Sequence, residues 1–430
     1  MLVSASRNKQ YKSPGPGTRR APGRDRGREP TLSKPRTSER ARRIQASPIR
    51  KLAGIADRAK AAGKHVYHLN IGQPDIHTPP GFWEAVRDNT PEVLAYGPSQ
   101  GIPQLREAIR GYYGRDGIKL DTDEILITTG GSEAVVFAML ATCDPGDEIV
   151  CFEPFYTNYN GFATIAGVKL VPITSEVEAG FHLPGRGVIE DKITERTRAL
   201  LICNPNNPTG TVLRSEELDM LAAVVRDNDL YLLADEVYRD FTFDGRTHRS
   251  VLELPGLEDR TVVMDSISKR FSSCGARLGD IVTRNSELMA GIMKFAQARL
   301  CPPTLAQYGA AAIYGSLSRD YFAAMVSTYQ SRRDVLVSEL ADEEGVFFLK
   351  PEGAFYATIR IPVEDSDVFA SWMLSDFSVD EETTMVAPAA GFYATPGLGK
   401  DEIRIAYVLN EDSMRKALAI LKQGLRRFEG

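Results

Sequence analysis

Apolar positions recur along this chain with two periods, and the places where one gives way to the other outline the predicted elements. Ser47 and Pro48 suit an N-cap and a first-turn proline, with Ile49, Leu52 and Ile55 following at helical spacing. Val66-Tyr67-His68-Leu69 reads as a short strand running into the turn Gly72-Gln73-Pro74-Asp75. Leu105, Ile109 and Tyr112 mark an amphipathic helix. Beyond residue 120, strand-like runs at Ile125–Thr128, Ile149–Phe152, Leu170–Ile173, Ala199–Cys203, Leu230–Ala234 and Val262–Met264 alternate with helical stretches, notably Ser132–Leu140 and Ser215–Arg226. That order predicts an α/β fold with a mostly parallel sheet between helices. Such sheets bind their ligands beyond the carboxyl ends of the strands. After Gln307 the pattern turns helical. Strands then follow near Phe355–Ile361 and Ile403–Val408, with a closing helix from Asp412, which predicts a smaller α+β unit. The expected division is a large domain over 85–319 and a small one built from 44–84 and 320–430.

Composition narrows the class. The 430 residues are 43% hydrophobic and 25% charged, which supports a large core and more than one domain. The longest apolar runs, such as 135–142, fall well short of the ~20 residues of a membrane span. Five cysteines form no CxxC pair, and the histidines form no HExxH, so neither a disulfide framework nor a zinc site is expected. Sparse thiols fit a reducing compartment, and the cytoplasm is the expected location. The net charge of −5 hides a split: residues 1–43 carry 13 Lys/Arg against 3 Asp/Glu, or +10, while the rest carries −15. That basic leader, with nine Gly/Pro and few large apolar residues, is expected to be a disordered extension. An organellar transit peptide and an arm for an acidic surface are the alternative readings. The acidic body predicts no nucleic-acid partner.

Four clusters sit where predicted strands end. Thr129-Gly130-Gly131-Ser132-Glu133 joins a strand to a helix, where glycines let backbone N–H groups approach an anion at the helix's positive end. An ordinary glycine turn reads the same way, and no Walker loop or GxGxxG is present. Asn204-Pro205-Asn206-Asn207-Pro208-Thr209-Gly210 is either a plain turn or a rigid mount for an amide side chain, with a cis proline as one way to hold it. In Asp235-Glu236-Val237-Tyr238, the acid closing an apolar strand wants a cationic or proton-donating partner, or else is a helix cap. Ser266-Ile267-Ser268-Lys269 sets a lysine near a buried strand end, with Arg277 eight residues on. A lone lysine would be a solvated one; in this company it suits an amine nucleophile, with hydroxyls and an arginine for a phosphate and Asp235 for a protonated ring nitrogen.

Together these motifs, over roughly residues 40–430, resemble the class I/II aminotransferases of the fold-type I pyridoxal-phosphate enzymes. The resemblance implies a pyridoxal 5'-phosphate cofactor joined to Lys269 as a Schiff base, with Asp235 at the pyridine nitrogen and Tyr238 and Asn207 at the ring hydroxyl. Gly131, Ser132, Ser266 and Arg277 would hold the phosphate, and Tyr156 would stack on the ring. Tyr96 matches a tyrosine that reaches a partner's phosphate, which implies a homodimer with shared active sites. Arg404, in Glu402-Ile403-Arg404-Ile405, matches the arginine that grips the substrate α-carboxylate, with Gly72 beside it. The implied reaction moves an amino group from an L-amino acid to a 2-oxo acid.

Departures bear on the substrate. One aspartate-transaminase subgroup places a lysine after the paired glycines to read the distal carboxylate, whereas Ser132 stands here. Arg299 could replace it from a neighbouring subunit, or be a surface arginine. The pattern as a whole, including Ala387-Pro388-Ala389-Ala390-Gly391-Phe392-Tyr393, leans to acidic donors. An aromatic or kynurenine-type transaminase, a lyase or a biosynthetic specialist would use the same site. A cofactor-binding transcription regulator is disfavoured, because residues 1–43 are too short and too polar for a winged helix.

Overall fold

The computed structural model describes residues 35–45, 51–316 and 318–429. It divides into two units, one ending at Arg42 and the other running from Arg43 to Gly430. In the first, the described residues are exposed and enter the short helix Glu39–Arg43. Most of the basic leader and the predicted helix start at Ser47-Pro48 lie outside the described residues; the helix itself is described over Ala53–Ala61.

A seven-stranded sheet dominates the second unit. Its spatial order is Ile125–Thr128, Gly279–Val282, Thr261–Ser266, Tyr231–Asp235, Thr197–Cys203, Glu148–Glu153 and Lys169–Thr174. All neighbours run parallel except around Gly279–Val282, which is antiparallel to both of its partners. Six of these strands are the predicted ones, extended by a residue or two at most ends. Gly279–Val282 was not predicted, because only four residues separate its charged and glycine-rich approach from the next loop.

The strands read as apolar runs because both faces are covered. Ile125, Ile127, Val150, Leu200, Leu232 and Val263 pack on one side. Leu126, Ile149, Cys151, Leu201, Leu233 and Met264 pack on the other, in the period-2 alternation of a pleated strand. Helices Pro103–Gly114, Ser215–Asp227 and Thr304–Ser316 supply residues to the first face; Gly131–Thr142, Asn158–Ala166 and Ser286–Arg299 supply the second.

A third core joins residues far apart in sequence. Leu52 to Leu69 pack with Met325 to Leu421 and with Tyr238, Phe241 and Phe243. Here His65–His68 pairs in parallel with Glu382–Met385, and Glu402–Ala406 lies between Tyr356–Arg360 and Ala387–Pro388 in an antiparallel sheet. The helices Arg319–Leu340 and Glu411–Arg427 flank them. Among the described residues, no helix is long and apolar enough to cross a membrane.

Candidate active site

The parallel strands all deliver their last residues to one edge. Thr128, Glu153, Cys203, Asp235 and Ser266 each end a strand there, and the chemical motifs begin at or just after them. The antiparallel strand brings its first residue to the same edge, where Gly279 pairs with both Thr128 and Ser266. Arg277, two residues earlier, therefore arrives beside the Gly130-Gly131 turn. At φ 77° Gly130 is left-handed, and an added Cβ there would lie 2.5 Å from Arg277 Nη2. A Cβ on Gly279 would lie 2.7 Å from the backbone of Gly130 and Gly131, so glycine is what lets strand and loop meet. Gly131 opens the helix Gly131–Thr142, whose first-turn N–H groups have no acceptor within the helix. Ser132 is half-buried on that turn. Ser266 caps the short helix Ile267–Arg270, accepting from Ser268 N and donating to Leu278 O at 2.8 Å.

Lys269 Nζ donates to Gly72 O at 2.8 Å. A Cβ on Gly72 would fall 1.7 Å from Tyr356 Oη, so a side chain there would force the Tyr356 ring to move. Tyr356 Oη is 2.9 Å from Tyr238 Oη, and both rings lie in the apolar wall formed with Phe355. Both Asn-Pro bonds of the Asn204–Gly210 loop are cis. The second Asn-Pro step presents Asn207, whose Oδ1 accepts from Arg404 Nη1 at 3.1 Å. Arg404 Nη2 donates to Asn70 O at 2.5 Å, while Nε is buried with no partner among the described residues. Tyr356 and Phe392 stack near the guanidinium, at 4.6 and 4.8 Å to their centroids. Only 1% of Arg404 is exposed, and burial lowers its pKa. Such a site favours a carboxylate that would complete the fork.

Asp235 accepts from Tyr159 Oη at 2.7 Å and from Val237 N at 3.3 Å. Burial pushes its carboxyl up to about 6, against the opposing hydrogen bond from Tyr159. Tyr156 packs edge-on against Tyr159, with centroids 5.5 Å apart, and its hydroxyl accepts from Asn158 Nδ2. Burial raises that phenol to about 12, so it stays protonated at neutral pH.

Of the residues singled out in the sequence, Gly72, Lys269, Asn207 and Arg404 meet through direct or shared contacts. Asp235, Tyr156 and Tyr238 lie along the same edge, and Gly131, Ser266 and Arg277 surround the helix start. Tyr96 stands apart, 82% exposed. Arg299 is not the surface arginine of one of its readings. Its side chain is only 16% exposed, and its Nε lies 3.2 Å from a Glu133 carboxylate oxygen while Nη2 donates to Ile127 O at 3.0 Å. It braces the glycine turn of its own chain, because Glu133 in turn accepts from Thr129 N. Sequence reasoning missed Tyr159, Tyr356, Asn70 and Phe392 as parts of the site. Tyr159 carried a usable signal, standing three residues beyond Tyr156 and so near it on a helical turn.

The donor set suits a flat group with a phosphate at one end, a carbonyl that an amine can attack, and a ring nitrogen able to hold a proton opposite a carboxylate. Pyridoxal 5'-phosphate has those features. A model of the class I and II aminotransferases matches residues 64–421. Over 394 residues the chain is 32% identical to an aspartate aminotransferase of Pyrococcus abyssi, covering 90% of this chain and 98% of that one. It is 30% identical over 393 residues to aromatic-amino-acid aminotransferase 2 of Thermococcus litoralis, covering 90% and 98%. A mutant aspartate aminotransferase of Thermus thermophilus has the same fold, with a TM-score of 0.82 at 28% identity over 91% of this chain and all of that one. The chain belongs to the class I and II aminotransferases, a family of pyridoxal-phosphate-dependent transaminases.

Proposed function

We propose that this chain binds pyridoxal 5'-phosphate at Lys269 and moves an amino group from an L-amino acid to a 2-oxo acid. The observation that carries the site assignment is the Arg404 guanidinium, buried against two aromatic rings, with Nε unpaired among the described residues, and tied through Asn207 to the strand edge that presents Lys269. A buried cation in that state needs an anion, and an α-carboxylate is the one that every amino acid donor shares.

When bound, the cofactor supplies an electron sink for the carbanion left as the donor Cα–H bond breaks. The chain's residues do the rest. Arg404 and Asn207 orient the donor carboxylate, which turns the Cα–H towards Lys269. Lys269 Nζ, which donates to Gly72 O, would be placed to hold the proton lost from the donor Cα once the donor amine has displaced it from the cofactor. Asp235, whose ionised form the Tyr159 hydrogen bond favours, would stand opposite the ring nitrogen and favour a proton there. Tyr238 and Asn207 would meet the ring hydroxyl, and Tyr156 would cover the ring. Gly131, Ser132, Ser266 and Arg277 would hold the phosphate, with Tyr96 reaching it from the second subunit of a homodimer. The exposure of Tyr96 supports that role, since the side chain is free to cross an interface.

We assign aspartate or glutamate as the donor, in keeping with the name of the Pyrococcus relative. A second reading, an aromatic donor, has its own support: Tyr156, Tyr356 and Phe392 line the site, and Arg299 is occupied by Glu133 and Ile127 O instead of standing ready for a distal carboxylate. Borohydride reduction and peptide mapping test the attachment, which must fall on Lys269. A panel of amino donors and 2-oxo acceptors, followed through the cofactor's absorbance, decides the substrate. Turnover with aspartate well above tyrosine and phenylalanine supports the first reading, and the reverse order overturns it.

A further inference from the structure

The residue after the candidate nucleophile is an arginine, and its guanidinium is fully buried. A four-residue helix such as Ile267–Arg270 cannot hold its own position, because so short a turn closes too few hydrogen bonds to offset its ordering. Something else must set where Lys269 stands. Arg270 makes the required ties. Its Nη2 donates to both oxygens of Asp265, at 3.0 and 2.7 Å, bridging the end of the Thr261–Ser266 strand to the helix that follows it. Nε donates to Asp240 Oδ2 at 2.6 Å, and Asp240 lies five residues beyond Asp235 on the segment that also carries Tyr238. Nη1 donates to Tyr314 Oη at 2.8 Å on the helix Thr304–Ser316. The Arg270 carbonyl accepts from Tyr321 Oη at 3.0 Å. One side chain thus links the lysine's segment, the aspartate's segment and the helix beneath both.

The surroundings suit a fixed, charged anchor. Tyr112 Oη donates to Asp240 Oδ2 at 2.7 Å, and its ring lies 4.7 Å from the Arg270 guanidinium carbon. Asp265 pairs across the sheet with Asp280, whose carboxyl is raised to about 8 by burial and by the Asp265 charge. Two carboxylates, Asp265 and Asp240, thus pair directly with the Arg270 guanidinium.

We propose that Arg270 is a positioning residue for the transamination assigned above: its buried fork sets Lys269 relative to Asp235 and Tyr238. Rotating or sliding the short helix would move Nζ off Gly72 O, and displacements of about 1 Å at reacting groups can cost on the order of a hundredfold in rate.

The test uses Tyr314→Phe and Asp240→Asn, which each remove one tie and keep the Asp265 fork, together with Arg270→Lys and Arg270→Met. Three quantities are read on the full-length holoenzyme below its melting temperature: kcat, the donor KM and the pH midpoint of the bound cofactor's visible absorbance. A fourth is the rate of competitive reductive methylation of Lys269 in the cofactor-free chain. We expect Tyr314→Phe and Asp240→Asn to lower kcat roughly tenfold with KM changed less than twofold, and to shift both the absorbance midpoint and the labelling rate. Arg270→Lys should recover part of what Arg270→Met loses. Variants that lose thermal stability yet keep kcat within twofold, the absorbance midpoint and the labelling rate would overturn the proposal, leaving Arg270 a structural residue. The proposal rests on the aminotransferase reading, but their failures differ. A wild-type chain with no cofactor on Lys269 sinks that reading, whereas the lysine labelling still measures what Arg270 does.

Discussion

Replacing Tyr159 by phenylalanine removes one hydroxyl and leaves the ring packed against Phe155 and Tyr156. That hydroxyl donates at 2.7 Å to Asp235 Oδ2, and its hydrogen bond favours the ionised carboxylate over the acid. With the cofactor placed as proposed, a single proton would be shared between the ring nitrogen and Asp235. Only the arrangement with the proton on nitrogen and charge on the carboxylate lets the ring withdraw electrons from the donor Cα. A hydrogen bond to a charged group is worth about 1.5–3 kcal/mol net, so its loss moves the proton towards the carboxyl by about one to two decades. Tyr159→Phe should therefore lower kcat by roughly ten- to a hundredfold, with little change in donor KM, measured by coupled assay across pH 6 to 9. The cofactor-free protein provides a second check. Burial holds Asp235 at about 6, so Tyr159 stabilises the fold only where the carboxylate is charged. The urea midpoint of Tyr159→Phe should fall below wild type above pH 6 and rejoin it near pH 5. A kcat within twofold of wild type, or a stability difference as large at pH 5 as at pH 8, would refute the reasoning.

Three further outcomes follow from the same geometry. Arg404→Ala should lower kcat/KM by about a hundredfold or more for acidic, aromatic and aliphatic donors alike, because it removes a charge-assisted fork to a group they all share; a loss confined to acidic donors contradicts the role. Mixing Tyr96→Phe with Lys269→Ala protomers should give more activity than the parental average if Tyr96 serves the neighbouring site, and a plain average with mixed dimers present counts against it. His182 lies between Glu217 and Glu352, at 2.9 and 3.6 Å; burial pushes its pKa down, but the two carboxylates outweigh that and raise it from 6.5 to about 9. Its contribution, discounted for partial burial to about 1–2 kcal/mol, is complete below pH 6.5 and lost by about pH 9, so denaturation midpoints should fall across that window in wild type and stay flatter in His182→Gln.

Much of this protein was already legible in its linear order. Strands such as Ile125–Thr128 and Thr197–Cys203 show as apolar runs because each is covered on both faces, and a buried strand has no polar side to interrupt the run. The motifs at their ends were legible for a related reason. A parallel sheet sends its strands' carboxyl ends to one edge, so chemistry placed after each strand must converge; Lys269 and Asp235 stood out by residue type and place, while Asn207 was named only through the family resemblance. Other features depended on packing between distant segments. The antiparallel course of Gly279–Val282, which returns Arg277 to the glycine turn, is decided by pairing with Thr128 and Ser266 and leaves no mark in four residues. Tyr356 reaches the site from a different sheet, and it meets Gly72 only because two terminal segments share one core. Arg299 looked like a surface cation because an isolated arginine usually is one; the fold instead set its guanidinium against Glu133 and the Ile127 carbonyl. Arg270 was hidden for the same reason. A charged side chain reveals its partners only once the chain has folded, since the two acids and the tyrosine that make its burial tolerable come from a strand, a turn and a helix.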